Sequence, residues 1–186
     1  KDFFHQSDGT EHVKLLVAGD SVYVSEDRAL LEFLLDSTLV KRSVYNDGIY
    51  ALAVDEGKNM YVGTMNGTIF RNGEKFFSAG SQMAKVTKMQ CGEYERRRGV
   101  FYTTCTNRLY SPVCFTDGEM EMVVSRGRFE SVVDFVVDEK GGLFSLKNDR
   151  ETGQGRVEVQ GLNGTENVVM IAFNGVGKKI ILYGGN

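Results

Sequence analysis

Proline, histidine and tryptophan are almost missing from these 186 residues, at one, two and none. With a single proline, Pro112, polyproline linkers and proline-rich recognition segments are excluded, and the 22 glycines read as tight turns rather than disorder. The two histidines, His5 and His12, lie in an N-terminal segment with no Cys or Ser beside them in an elbow context. Histidine-assisted nucleophilic catalysis therefore has no candidate constellation. The three cysteines, Cys91, Cys105 and Cys114, are odd in number and lack CxxC spacing, so a metal knuckle or disulfide framework is not indicated. They read as small buried apolar residues in a reducing compartment, which favours an intracellular (cytoplasmic or nuclear) setting and leaves secretion open. The absence of an initiator Met also leaves a removed signal peptide or a longer parent chain open. No apolar run approaches the ~18 residues of a membrane helix, so no membrane span is expected. The net charge of −3 argues against a duplex nucleic-acid binder relying on bulk electrostatics. GxxxxGK[ST] and HExxH are absent as well.

What is present is a phrase that returns. At its clearest it runs ALAVDEGKNMYVGTMNGTIFRNG, Ala51 to Gly73: two short apolar runs joined by a turn, an Asn-Gly corner, then a third run. Sliding it by 83 residues lays Asp134 to Asn148 over it without a gap. With Tyr23, Tyr61, Phe101, Phe144 and Ile181 as anchors of the second run, the intervals are 38, 40, 43 and 37 residues. A strand-rich repeat near 40 residues predicts an all-β fold, the β-propeller, with each repeat a four-stranded blade.

The units fall at about 13–46, 49–80, 85–125, 130–164 and 168–186, the last incomplete, within a single domain or propeller fragment covering 1–186. Ala29 to Leu35 is rich in helix formers, but seven residues between strand-like neighbours are too few for a stable helix, so a strand is expected. Asn66-Gly67 predicts a type I′ hairpin turn. Pro112 cannot donate to a ladder, so its strand should be bulged or lie at an edge. Asp2 to His5 would add an outer strand to the fifth unit. A closed five-bladed ring, part of a larger ring, and a ring completed by another chain all remain compatible with this count.

The phrase VDEGKNMYVGTMNGTIFRNG resembles the blade repeat of two-component-regulator propellers and the broader NHL and WD-repeat superfamily. The likeness is close over Tyr50 to Gly73 and Val133 to Asn148. It lacks the Trp and the Gly-His pair of WD repeats, and with them the YWTD and kelch signatures. The resemblance implies the propeller architecture and no particular member.

Candidate site residues follow from the loops. Glu93-Tyr94-Glu95-Arg96-Arg97-Arg98 lengthens the first turn of the third unit, predicted to span Cys91 to Gly99, and sets three arginines on the surface. Planar guanidinium groups suit carboxylate or phosphate recognition. First-to-second-strand loops share one propeller face. Lys58 and Lys178-Lys179 should therefore gather with Arg96, Arg97 and Arg98, among acidic neighbours such as Glu93, Glu95, Asp55 and Asp138. The opposite rim would carry Asp47, Asn66, Asn107, Arg126, Arg128 and 148–150. Asn174 to Lys179 looks like a phosphate cradle but joins strands and opens no helix, so a turn is expected.

Tyr23, Tyr61, Phe101 and Phe144 are expected to fill the space between blades rather than to form a stacking platform. Asp55 and Asp138 sit at equivalent turns, where a carboxylate caps nearby amides. The sequons at Asn66 and Asn163 coincide with Asn-Gly corners that hairpins need anyway. Gluconolactonase-like propeller enzymes hold a divalent ion at the channel mouth, and Asp47, Glu130 and Asp134 are the oxygen ligands a calcium ion would find.

These observations favour a non-enzymatic interaction module without cofactor or metal. It would bind protein partners through Tyr94, Arg96, Arg97, Arg98, Lys178 and Lys179, with completion of the ring by one such partner left open. The alternative is a lactonase-like enzyme or ligand sensor with a metal or polar site at the channel mouth.

Overall fold

The computed structural model describes residues 13–79, 84–106, 109–125, 132–149, 152–162 and 169–180. Four antiparallel sheets follow one another along the chain. Blade one holds β1 (Lys14–Ala18), β2 (Ser21–Glu26), β3 (Ala29–Leu34) and β4 (Leu39–Val44). Blade two holds β5 (Ile49–Val54), β6 (Met60–Thr64), β7 (Thr68–Arg71) and β8 (Glu74–Ser78). Blade three holds β9 (Lys85–Tyr94), β10 (Arg97–Thr106), β11 (Leu109–Tyr110), β12 (Cys114–Thr116) and β13 (Glu121–Val123). Blade four holds β14 (Val132–Val137), β15 (Gly142–Asn148), β16 (Gln154–Gly161) and β17 (Val169–Asn174). The segment Ala29–Leu34, with its helix-forming composition, is a strand because β2 and β4 flank and pair with it.

The 83-residue correspondence holds to single hydrogen bonds. The inner strands β5 and β14 each carry a bulge, between Ile49 and Ala51 and between Val132 and Asp134. In the following turns Asp55 N–H donates to Asn59 O and Asp138 N–H to Gly142 O, at 3.1 and 2.9 Å. Asp55 Oδ1 accepts from Asn59 N–H and Asp138 Oδ1 from Gly142 N–H, at 2.8 and 2.6 Å. Both aspartates are turn caps, as their position in the repeat predicts. Burial works to raise the Asp55 carboxyl, but the bonds from Asn59, with the Arg71 charge and the Gly57 amide, together hold the group below its ordinary value.

Three expectations need correction. The type I′ turn is made by Asn72-Gly73, with φ of 53° and 91°, between the paired Arg71 and Glu74. Asn66 instead forms an Asx turn, its Oδ1 accepting from Thr64 Oγ1 and Thr68 N–H. There only Gly67 is left-handed, the three-residue loop of a G1 bulge. The fifth unit is the second correction: VVMIAF is no inner strand but β17, paired with β16 as the outer strand of blade four. An apolar run alone does not say which strand position it fills.

The third concerns Cys91 to Gly99, treated below with the site. Ile181 and the segment Asp2 to His5 lie outside the described residues. Around Pro112 the strand breaks as expected. β11 and β12 both pair with the same side of β10, and one extra residue is accommodated between Tyr110 and Cys114. The Ser111 hydroxyl accepts from Thr104 N–H at 2.9 Å, satisfying a ladder donor at the break.

The core lies between blades in three clusters. Leu30, Tyr45, Ile49, Met60 and Val62, with Leu16 and Tyr23, fill the first boundary. Ala51, Ala53, Tyr61, Ile69, Val86, Val100 and Tyr102 fill the second. Phe101, Phe115, Val132, Phe135 and Leu143 fill the third. The anchors thus point one way: Tyr23, Tyr61 and Phe101 each face the following blade, while the residues flanking Tyr61 and Phe101 in sequence face the preceding one. This directionality follows from strand alternation acting on a repeated register.

Candidate functional site

β9 and β10 continue past the point where the equivalent strands of blade two stop. Val100 matches Met60, the first residue of β6, yet the β9–β10 ladder runs on through Gly99↔Gly92, Arg98↔Glu93 and Arg97↔Tyr94. Three rungs at roughly 3.3 Å carry the hairpin about 10 Å further. The loop predicted over Cys91 to Gly99 is therefore strand except for the two-residue turn Glu95-Arg96, whose φ angles of 49° and 65° give a type I′ turn without glycine.

The extension persists because one of its faces is packed. Tyr94 sits 5.7 Å from the Phe115 ring and 6.3 Å from the Phe101 ring, and Phe101 and Phe115 are 5.0 Å apart. Burial, then the neighbouring Glu95, raises the Tyr94 phenol pKa. Gly99 lets the chain pass the β12 edge, since a Cβ there would lie 2.1 Å from Thr116 O. Periodicity could not show this, because the glycine pair looked like the borders of a loop.

Alternation then separates the arginines. Arg97, beside Tyr94, donates through Nη1 to Asp117 Oδ2 at 2.6 Å. Asp117 Oδ1 also accepts from the Glu119 and Met120 N–H groups at 3.0 and 3.1 Å. The Arg97 bond first, then those of Met120 and Glu119, lower the Asp117 pKa to about 2. Arg98 projects from the other face opposite Glu93, both exposed, and Arg96 stands at the tip. Among the described residues none forms an ion pair with Arg96 or Arg98. The structure divides the predicted set: Tyr94 and Arg97 brace the hairpin, and Arg96 and Arg98 are presented.

Lys178 and Lys179 are not brought to this rim. Asn148 holds Gly177 by two bonds, Nδ2–H to O at 2.8 Å and N–H to Oδ1 at 2.9 Å, and Ile180 N–H donates to Asp134 Oδ2 at 2.8 Å. Asp134 and Asn148 mark the end of blade four away from the Asp138 turn, whereas the β9–β10 tip lies beyond that turn's level. The tip's position is fixed by Gln90, whose amide makes two bonds with the Val137 backbone, at 2.6 and 2.9 Å. The lysines were misplaced because their segment is the run-out of an outer strand, not a hairpin between the first two strands.

Of the carboxylates expected at a channel mouth, Asp134 is buried and its Oδ1 lies 2.6 Å from Lys88 Nζ. Lys88 also sits over the Phe135 ring at 5.8 Å. Asp47 accepts from Asn66 Nδ2 at 2.6 Å. Both carboxylates are engaged within the protein, and among the described residues no three His, Cys, Asp or Glu side chains converge as a ligand set. Glu130, Asn107, Arg126, Arg128, Arg150 and Asn163 lie outside the described residues.

Two features were missed in the sequence. Lys147 is buried with its Nζ 2.5 Å from Glu158 Oε2, and Glu158 Oε1 accepts from Arg156 Nε at 3.0 Å. A cavity of about 230 Å³ between blades two and three is lined by Ala79, Tyr102, Thr104, Ser111, Cys114 and Glu121, among others. In it the Tyr102 hydroxyl donates to Glu121 Oε1, and burial, then this bond, raises the phenol pKa. Burial likewise pushes the Cys91 and Cys114 thiols up to about 12, so neither is a poised nucleophile at neutral pH.

No protein-family model and no curated protein matches the chain. Solved structures do. It is similar to a structure of the Dos1 propeller, with TM-score 0.57 and 14% identity over 85% of this chain and 45% of that one. It is similar to a structure described as the extracellular domain of a hybrid two-component system of B. thetaiotaomicron, with TM-score 0.63 and 16% identity over 95% and 25%. It is also similar to hydrazine synthase of Kuenenia stuttgartiensis, with TM-score 0.63 and 11% identity over 88% and 52%. The chain spans about half or less of the length of these structures. At such identities the likeness shows the fold alone, and that fold is the β-propeller.

Proposed function

We propose that this chain is a non-enzymatic propeller module that binds a protein partner through the tip of the β9–β10 hairpin. The observation that carries this reading is the three-rung extension, braced by Tyr94 and Arg97 and ending in the exposed Arg96 and Arg98. A packed hairpin offers guanidinium groups at low ordering cost, which favours specific binding to an acidic surface. Cys91, Cys105 and Cys114 are free thiols, which fits an intracellular setting, where reduced cysteines are ordinary. The test is affinity capture from lysate with the native chain and with an Arg96→Glu/Arg98→Glu variant. The partner set should shrink for that variant and persist for Lys178→Glu/Lys179→Glu at the opposite end. Identical captures for native and arginine variants would sink the assignment.

A second reading rests on the cavity beside Tyr102 and Glu121, which offers one carboxylate and several hydroxyls to a small polar ligand. A thermal-shift screen with sugars, organic acids and calcium separates the two, since a ligand of the native state raises the melting temperature.

A further inference from the structure

The boundary between blades two and three is packed around Val86, Val100 and Tyr102 and then opens into the cavity of about 230 Å³. Its origin is a departure from the repeat. In blade two the second and third strands are joined tightly, Val62 pairing with Phe70 eight residues on. At the matching place in blade three Tyr102 pairs with Cys114, twelve residues on, because the chain detours through β11 and Pro112. Ala79 and Ala84 are too small to fill the space and form its apolar wall. Glu121 lines the cavity and is also exposed, so the cavity reaches solvent beside it. A local break in an otherwise consistent pattern is where function is expected to sit.

The lining is rich in acceptors and poor in donors. The Tyr102 hydroxyl spends its hydrogen on Glu121 Oε1, and the Ser111 hydroxyl spends its own on Pro112 O at 2.7 Å. The Tyr102 oxygen keeps its acceptor capacity, and the Ser111 oxygen keeps one site beyond that taken by Thr104 N–H. Thr104 and Thr106 add two further hydroxyls. Among the described residues no Lys or Arg lines the cavity or forms an ion pair with Glu121. The cavity therefore holds one negative charge without a counter-ion, ringed by oxygen atoms.

We propose that this cavity binds the ammonium group of a small amine, with Glu121 as counter-ion and the Tyr102, Ser111 and Thr106 oxygens as acceptors. The assignment rests on the cavity reading above, which it deepens, and is independent of the hairpin tip. An ammonium group brings three donors and no acceptor, the complement of this lining. A carboxylate or phosphate would meet Glu121 as a like charge. A neutral alcohol would meet the same oxygens but gain less from the carboxylate, since bonds to an ionised partner are about twice as strong when both groups carry charge. The volume is below the roughly 300–1,000 Å³ of pockets that take drug-sized molecules. The amine is thus a short one, its few carbons lying against Ala79 and Ala84.

The experiment is calorimetric titration and thermal melting of the full chain with two sets of probes that differ in one end group. The sets are ethanolamine, ethylene glycol and glycolate, and butylamine, butanol and butyrate. Only the amines, protonated at neutral pH, should bind and raise the melting temperature. Glu121→Gln keeps an acceptor for Tyr102 but removes the charge, and should weaken amine binding about tenfold or more. Should that variant fail to melt cooperatively, Thr106→Val takes its place, with an expected loss of about threefold. Alcohols or acids that bind as tightly as the amines would overturn the ammonium assignment while keeping the cavity as a ligand site. Amine binding that the variants leave unchanged would overturn it by placing the amine elsewhere. If no probe of either set binds, the cavity reading falls with it.

Discussion

Lys58 and Gly141 occupy the same left-handed position, at φ 62° and 78°, in two turns whose backbone hydrogen bonds correspond one for one. A residue with a Cβ pays roughly 1–2 kcal/mol for that conformation and glycine does not. Lys58→Gly should therefore raise stability by about 0.5–1 kcal/mol, and Gly141→Lys should lower it by about 1 kcal/mol. Urea denaturation of the two variants tests this; a shift of opposite sign for either would show that the turns are not equivalent.

Gly99→Ala should be far worse than Gly92→Ala, although the two glycines face each other across one rung. A Cβ at Gly99 meets the Thr116 carbonyl oxygen at 2.1 Å, whereas at Gly92 it meets the edge of the Phe101 ring at 2.9 Å. Backbone at the edge of a packed sheet yields less than a ring, and overpacking costs about 1–3 kcal/mol or more. Equal melting temperatures for the two variants would contradict the extended hairpin.

Gln90 acts as a fragment of strand, giving one hydrogen bond to Val137 and taking another. Gln90→Ala leaves a donor and an acceptor unmatched at the third boundary and should cost about 2 kcal/mol. Gln90→Glu keeps the acceptor but loses the donor at neutral pH. Its deficit should shrink on acidification, when the protonated carboxyl donates again. A pH-independent deficit for Gln90→Glu would argue against this pairing.

The Asp117 carboxyl ordinarily titrates near 3.8 and is lowered to about 2 here by Arg97 and two backbone amides. Its folded value lies below the unfolded one, so its stabilisation is complete above about pH 4 and is lost as pH falls toward 2. Asp117→Asn should flatten that part of the acid limb of a melting-temperature profile. Superimposable acid limbs would mean that the Arg97 contact does not persist in solution.

Much of the architecture was legible because the repeat constrains φ, register and burial together. Asp55 and Asp138, or Tyr61 and Phe101, align on the repeat alone. The failures share one cause, the reading of chain segments without their partners. VVMIAF has no pattern distinguishing an inner from an outer strand, and only its pairing with β16 decides. The residues from Cys91 to Gly99 contain two glycines and five charges, which looks like a loop until Phe101 and Phe115 supply a surface for Tyr94. Of the candidate site, the arginines were visible, but their division into a brace and a presented pair was not. It depends on which rung each occupies.

The one-way orientation of Tyr23, Tyr61 and Phe101 carries a consequence for how such a chain can change length. Each of the three described junctions joins the anchor-bearing side of one module to the opposite side of the next. An in-frame duplication of a whole unit would therefore meet a compatible surface on both flanks, with no new junction to invent. Copy number is free to drift by whole units, while the sense in which they are stacked is fixed.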